Sequence, residues 1–170
     1  GVLPEGLIYP MLRHHCAQLG ARSRALASLA ASPPPLGVSQ QTSLLGAYWR
    51  ALEAARHGHG APPLCEDRQA AKICAAFLAP ELEASYAESP LKADGQELLA
   101  VRTRCLDDWI ERPSWPPVHT TKRQIVLLGA GMDTRGYRLG LSMHTTRVFE
   151  VDGDAAVLEA KHAALAAAGQ

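Results

Sequence analysis

The residues that speak most directly to chemistry lie between Gly129 and Asp152. Gly129, Ala130 and Gly131 follow an apolar run, QIVLL, and glycines at the end of a buried strand let the backbone turn tightly and approach a ligand. Asp152 comes 21 residues after Gly131, at the end of the next apolar stretch, where a carboxylate reaches the hydroxyls of a ribose in this kind of architecture. A G-x-G turn with a downstream acid is common to nicotinamide, flavin and S-adenosylmethionine sites. The residues after the turn narrow the choice. A pyrophosphate sits on the N-terminus of the following helix and generally needs a third glycine there, but this chain offers Met132, Asp133 and Thr134. A carboxylate at Asp133 would stand against phosphates, whereas S-adenosylmethionine has none and carries a cationic sulfonium and ammonium. Asp133 is thus either a residue beside the cofactor or a plain cap on the next helix.

A second candidate lies upstream, in VRTRCLDDWI. Arg104 has Asp107 and Asp108 at the three- and four-residue spacings, so a local surface ion pair is expected. Arg102 has Leu98, Leu99, Cys105 and Leu106 as helical neighbours, which sets a guanidinium on or beside an apolar face with no partner in its own helix. Burying an unpaired charge is costly, so Arg102 must snorkel, pair with a distant carboxylate or meet an anionic ligand. A ligand carboxylate would suit its planar fork.

The elements that must position these residues can be read from periodicity and punctuation. Thr42 can cap a helix through SLLGAYWRALEAARH, with Leu44, Leu45, Tyr48, Leu52 and Ala55 on one side and Gly58 as the stop. A second helix fits RQAAKICAAFLA, capped by Asp67 and ended at Pro80. A third fits QELLAVRTRCLDDWIER, ended before Pro113 because the residue preceding a proline is pushed out of helical geometry. Three helices therefore precede any strand. Ile125 to Leu128 reads as a short strand buried on both faces, TRVFEVDG as the next strand, and DAAVLEAKHAALAAAG as a helix with Asp154 near its start and Gly169 at its stop.

Composition sets the outer bounds. In 170 residues, 17 basic side chains balance 17 acidic ones, so no excess of positive charge favours nucleic acid or an anionic membrane. No stretch approaches the roughly 18 apolar residues that a spanning helix needs. Cys16, Cys65, Cys74 and Cys105 form no Cys-x-x-Cys pair and read as free thiols of a reducing compartment, the cytoplasm. His14, His15, Cys16, His57 and His59 lack the paired spacing of a structural zinc site, so no metal is expected. From Gly6 to Leu52 there is no acidic residue, a feature of organelle transit segments as well as of ordinary basic helices. The SPPPLG stretch closes residues 1–37 as a leader or linker, and the folded part is expected to begin near Val38.

The segments SLLGAYWRALEAAR, VRTRCLDDWI, IVLLGAGMDTRGYRL and VFEVD, in this order, resemble the leucine carboxyl methyltransferase family of S-adenosylmethionine-dependent enzymes. The resemblance spans roughly residues 39 to 168 and rests chiefly on GAG-x-DTR-x-x-RL. It implies an α/β, Rossmann-like class I methyltransferase fold with a helical N-terminal cap, the cap at 38–117 and the start of the cofactor domain at 118–170. It also implies that Arg102 holds the methionyl carboxylate, that the turn Gly129, Ala130, Gly131 lies under the cofactor, and that Asp152 binds the ribose. Members of the family methylate a protein C-terminal carboxylate or small-molecule carboxyl or hydroxyl groups. The chain departs from the pattern at Gly153 and Asp154, where a residue and then proline are common. With two strands only, it is expected to be the N-terminal portion of such an O-methyltransferase, inactive alone and lacking the adenine contacts and the catalytic residues. A nicotinamide oxidoreductase and a non-enzymatic remnant are the rival readings.

Overall fold

The computed structural model of the chain describes residues 37–56, 62–90, 92–112 and 122–169. The expected leader, apart from Gly37, and the histidine pairs lie outside these residues. Helix α1 (Val38–Ala54) starts well before Ser43 because Gly37, in extended conformation, serves as its N-cap, with its own N–H donating to Gln40 Oε1 at 2.9 Å. Thr42, expected as the cap, is inside the helix and returns its hydroxyl to the Val38 carbonyl at 3.0 Å. Helix α2 (Arg68–Phe77) begins as expected, with Asp67 Oδ1 accepting the Ala70 N–H at 2.9 Å. Pro80 ends nothing further than α2. It is the first residue of α3 (Pro80–Ala87), a place where its missing N–H costs nothing, and so among the described residues four helices precede the first strand. The fourth is α4 (Lys92–Glu111).

Strands β1 (Arg123–Leu128) and β2 (Thr146–Val151) pair in parallel, in register from Arg123 with Thr146 to Leu128 with Val151. A single helical turn, α5 (Arg135–Arg138), lies between them, and α6 (Ala155–Ala167) follows, its first turn capped by Asp154 Oδ1 on the Ala156 N–H. Gly169, at φ +79°, ends it in the left-handed region.

The core joins the cap to the sheet layer. Leu44, Ala47, Tyr48 and Ala51 of α1 pack with Ala70, Ile73 and Cys74 of α2, Tyr86 of α3, Met132 beyond β1 and Leu165 of α6. Leu45 and Leu52 flank this cluster, while Ala55 is exposed. Both strands alternate between half-buried and exposed positions. Val126, Leu128, Phe149 and Val151 form the exposed face, with Leu128 79% accessible. The expectation of a doubly buried strand therefore fails on one face. The sequence is apolar on both sides of β1, but the described elements cover one.

Candidate functional site

Strand β1 delivers the chain into Gly129 at φ +61° and Gly131 at φ +42°, two left-handed positions that side chains with a Cβ adopt only under strain. Between them the Ala130 N–H donates to the Val151 carbonyl at 3.1 Å, which carries the parallel pairing two residues past β1. Asp152, the residue after β2, then closes the turn. Its Oδ2 accepts the Gly131 N–H at 2.8 Å and its Oδ1 accepts the Asp154 N–H at 2.9 Å. These two backbone donors, Asp154 first and then Gly131, hold the Asp152 carboxyl below the usual aspartate range. Each oxygen keeps a further acceptor direction, and the residue is only half-buried. No atom lies within 4 Å of where a Cβ on Gly129 would sit, so the turn is open on that side.

On the other side the turn is tightly held. A Cβ on Gly131 would stand 2.0 Å from Ser43 Oγ of α1. The next residue, Met132, donates its N–H to Ser43 Oγ at 2.8 Å and accepts from Arg50 Nη2 at its carbonyl at 2.7 Å. Beyond it the DTRGYR segment enters an ionic cluster. Arg50 Nε bonds Asp67 Oδ2 at 2.7 Å, and the same oxygen accepts the Thr134 hydroxyl at 2.6 Å with Arg138 Nε at 3.6 Å. Asp107 of α4 meets Arg138 through both its oxygens and Arg135 Nε at 2.8 Å. Asp133 accepts the Arg135 N–H at 2.8 Å through Oδ1 and pairs with the Arg135 guanidinium through Oδ2. Burial alone would raise the Asp67 carboxyl, but Arg50, Thr134 and Arg138 outweigh it and keep it ionised below the ordinary range.

A model of the leucine carboxyl methyltransferase family matches residues 43–170. The chain belongs to this family. Provisionally named S-adenosyl-L-methionine-dependent methyltransferases of Mycobacterium bovis and Mycobacterium tuberculosis are 38% identical to it over 114 residues, 65% of this chain and 35% of theirs. One from Streptomyces coelicolor is 48% identical over 54 residues, 32% of this chain and 17% of its own. The chain thus spans about a third of the length of the mycobacterial relatives.

Of the sequence-derived site residues of this family member, the structure brings Gly129, Ala130, Gly131 and Asp152 together in one turn. Asp133, one residue before the N-cap Thr134, accepts the Arg135 N–H. Arg104 pairs with Asp108 at 2.8 Å as expected, but Asp107 turns away from it into the buried cluster. Arg102 is exposed and has no ion-pair partner among the described residues. Its neighbours Leu98 and Leu106 are exposed too, because α4 packs through Ala100, Thr103, Asp107 and Ile110 instead. The apolar strip that sequence density suggests as the packing face is the open one.

Sequence reasoning gave no part in this cluster or turn to Ser43, Arg50, Asp107, Thr134 or Lys161. Arg50 has Glu53 three residues on in its own helix, which offers it a local partner in sequence, yet it is buried and pairs with Asp67 instead. Lys161 is wholly buried on α6, donating to the Asp133 carbonyl at 2.9 Å and to Glu150 Oε1 at 2.7 Å. Cys65 and Cys74 are buried and Cys105 exposed, none of them in a disulfide. Burial pushes Cys65 up to about 11, which keeps it a thiol. Among the described residues no three His, Cys, Asp or Glu side chains cluster as a metal site, and no helix is long and apolar enough to cross a membrane.

Proposed function

We propose that the full-length protein is an S-adenosylmethionine-dependent O-methyltransferase acting on a carboxyl or hydroxyl oxygen, of a protein C-terminus or a small molecule. The observation that carries this reading is the bond from Gly131 N–H to Asp152 Oδ2, which joins the open turn to the acid at the next strand end. The donor set fits the cofactor. Asp152 retains acceptor directions for two ribose hydroxyls, the space over Gly129 admits a ligand against the backbone, and Arg102 has a guanidinium to offer a methionyl carboxylate. When bound, S-adenosylmethionine supplies an electrophilic methyl group. The protein's part is in-line positioning and exclusion of water, and a base is needed only where the acceptor is a hydroxyl.

A dinucleotide is disfavoured for a reason other than bare charge. Asp133 is neutralised by Arg135, but it also occupies the first N–H of α5, and that helix is one turn long, so little remains to receive a pyrophosphate. We take 38–117 as the cap and 118–170 as the opening of the cofactor domain. The exposed sheet face, and the share of the relatives' length that the chain spans, support further strands in the full-length protein and inactivity of these 170 residues alone.

Calorimetry on the full-length protein tests the reading. S-adenosylhomocysteine should bind more tightly than NAD, and the reverse order sinks it. Arg102→Ala should weaken S-adenosylhomocysteine binding by about 2 kcal/mol, the loss expected for a charge-assisted pair.

A further inference from the structure

Met132, the residue after the cofactor turn, is held by α1 at every group it has. Ser43 Oγ takes its N–H at 2.8 Å, Arg50 Nη2 gives to its carbonyl at 2.7 Å, and its side chain lies in the core among Leu44, Ala47 and Tyr48. Ser43 and Arg50 are seven residues apart, two helical turns, and so share one face of α1. They differ in what else they do. Arg50 is bound into the ionic cluster through Asp67, whereas the Met132 N–H is the polar contact recorded for Ser43 among the described residues. The Ser43 side chain also lies directly on Gly131, and the point 2.0 Å from its Oγ is 3.9 Å from Asp152 Oδ2. A hydroxyl from the cap and the carboxylate at the end of β2 thus hold the two successive N–H groups of Met132 and Gly131.

We propose that Ser43 is a positioning residue of the cofactor turn. By fixing the Met132 N–H it holds the Gly131 peptide at the orientation in which Asp152 and the turn receive the adenosine moiety, and so the cap helix is part of the cofactor-binding machinery. The inference rests on the S-adenosylmethionine reading. Replacing Ser43 leaves the ionic cluster and the apolar core whole and releases only the turn.

The test measures S-adenosylhomocysteine binding by calorimetry in the full-length protein for wild type, Ser43→Ala, Ser43→Thr and Ile73→Val. The last is a destabilising core change in the same cap that removes none of the hydrogen bonds of the turn. Ser43→Ala should bind about fivefold more weakly or worse, as expected when a half-buried N–H loses its acceptor. Ser43→Thr, which keeps the oxygen, should bind close to wild type, and Ile73→Val should keep full affinity although it melts at a lower temperature. Full affinity in Ser43→Ala overturns the proposal, as does an equal loss in Ile73→Val. Should Ser43→Ala fail to fold, Ser43→Cys replaces it, because sulfur fills the site as a weak acceptor. It should bind more weakly than wild type, and undiminished affinity there overturns the proposal equally. A wild-type protein that binds no S-adenosylhomocysteine is a separate result, which sinks the methyltransferase reading and this inference with it.

Discussion

Asp67 shows how one carboxylate can serve several elements at once. It caps α2 through one oxygen and receives Arg50 and Thr134 on the other, with Arg138 close by. Asp67→Asn leaves Arg50 buried without its counter-charge and should destabilise the protein by about 3–5 kcal/mol in urea titrations at pH 7. Arg104→Ala, which breaks an exposed pair, should cost at most about 0.5 kcal/mol. The sign of the pH effect follows from the lowered folded-state value of Asp67. Its contribution is in place above the unfolded value of 3.8 and is lost as pH falls through the lower folded value, so the gap between wild type and Asp67→Asn should close in acid. A gap as large at pH 3 as at pH 7 would contradict the assignment. At Asp152 the expected change is in binding: Asp152→Asn should weaken S-adenosylhomocysteine, since an amide has one acceptor oxygen where the carboxylate has two. If a ligand without ribose hydroxyls loses as much, Asp152 serves the turn alone.

Between β1 and α5 the turn is an element in its own right, and its two glycines are required for different reasons. Gly129 needs its left-handed conformation but has free space around it, so Gly129→Ala should cost about 1 kcal/mol of stability. Gly131→Ala carries the same conformational strain, and its new methyl group would also overlap Ser43 Oγ. It should cost clearly more than Gly129→Ala and weaken cofactor binding, because α1 or the turn must move. Equal melting temperatures for the two variants would show that α1 yields freely there. At this scale the DTRGYR segment also acquires a meaning that its motif does not disclose. Thr134, Arg135 and Arg138 face Asp67, Asp107 and Asp133, so this segment moors the cap to the turn.

Among the described residues of the molecule, two apolar patches stand open. One is the sheet face of Val126, Leu128, Phe149 and Val151, and the other is the strip on α4 that includes Leu98, Val101 and Trp109, with Trp109 69% accessible. Exposed faces of this composition bind apolar dyes and promote association. The 170-residue chain should therefore enhance the fluorescence of such a dye, and Leu128→Ser with Phe149→Ser should reduce that signal with little loss of melting temperature, since neither side chain is in the core. An unaltered signal would place the dye elsewhere.

The order of elements was legible from local rules, because periodicity, glycine and proline act over a few residues. Asp67 as a cap, a helix starting near Asp154, and the strands near Ile125 and Val148 could all be read in this way. The extra helix at Pro80 was not, since a proline ends one helix and starts another by the same restriction of its backbone. Which face of a helix is buried depends on partners far along the chain. Arg102 has the more apolar helical neighbours, Leu98, Leu99, Cys105 and Leu106, and yet the approach of Asp67 and the Met132 carbonyl, the latter from 82 residues away, makes Arg50 the buried anchor while Arg102 stays exposed. The same long reach brings Ser43 onto Gly131. Local composition dictates that a turn exists at Gly129 to Gly131, and tertiary packing decides what holds it, because charge pairing and close contact are set by distance in space and not by spacing along the chain.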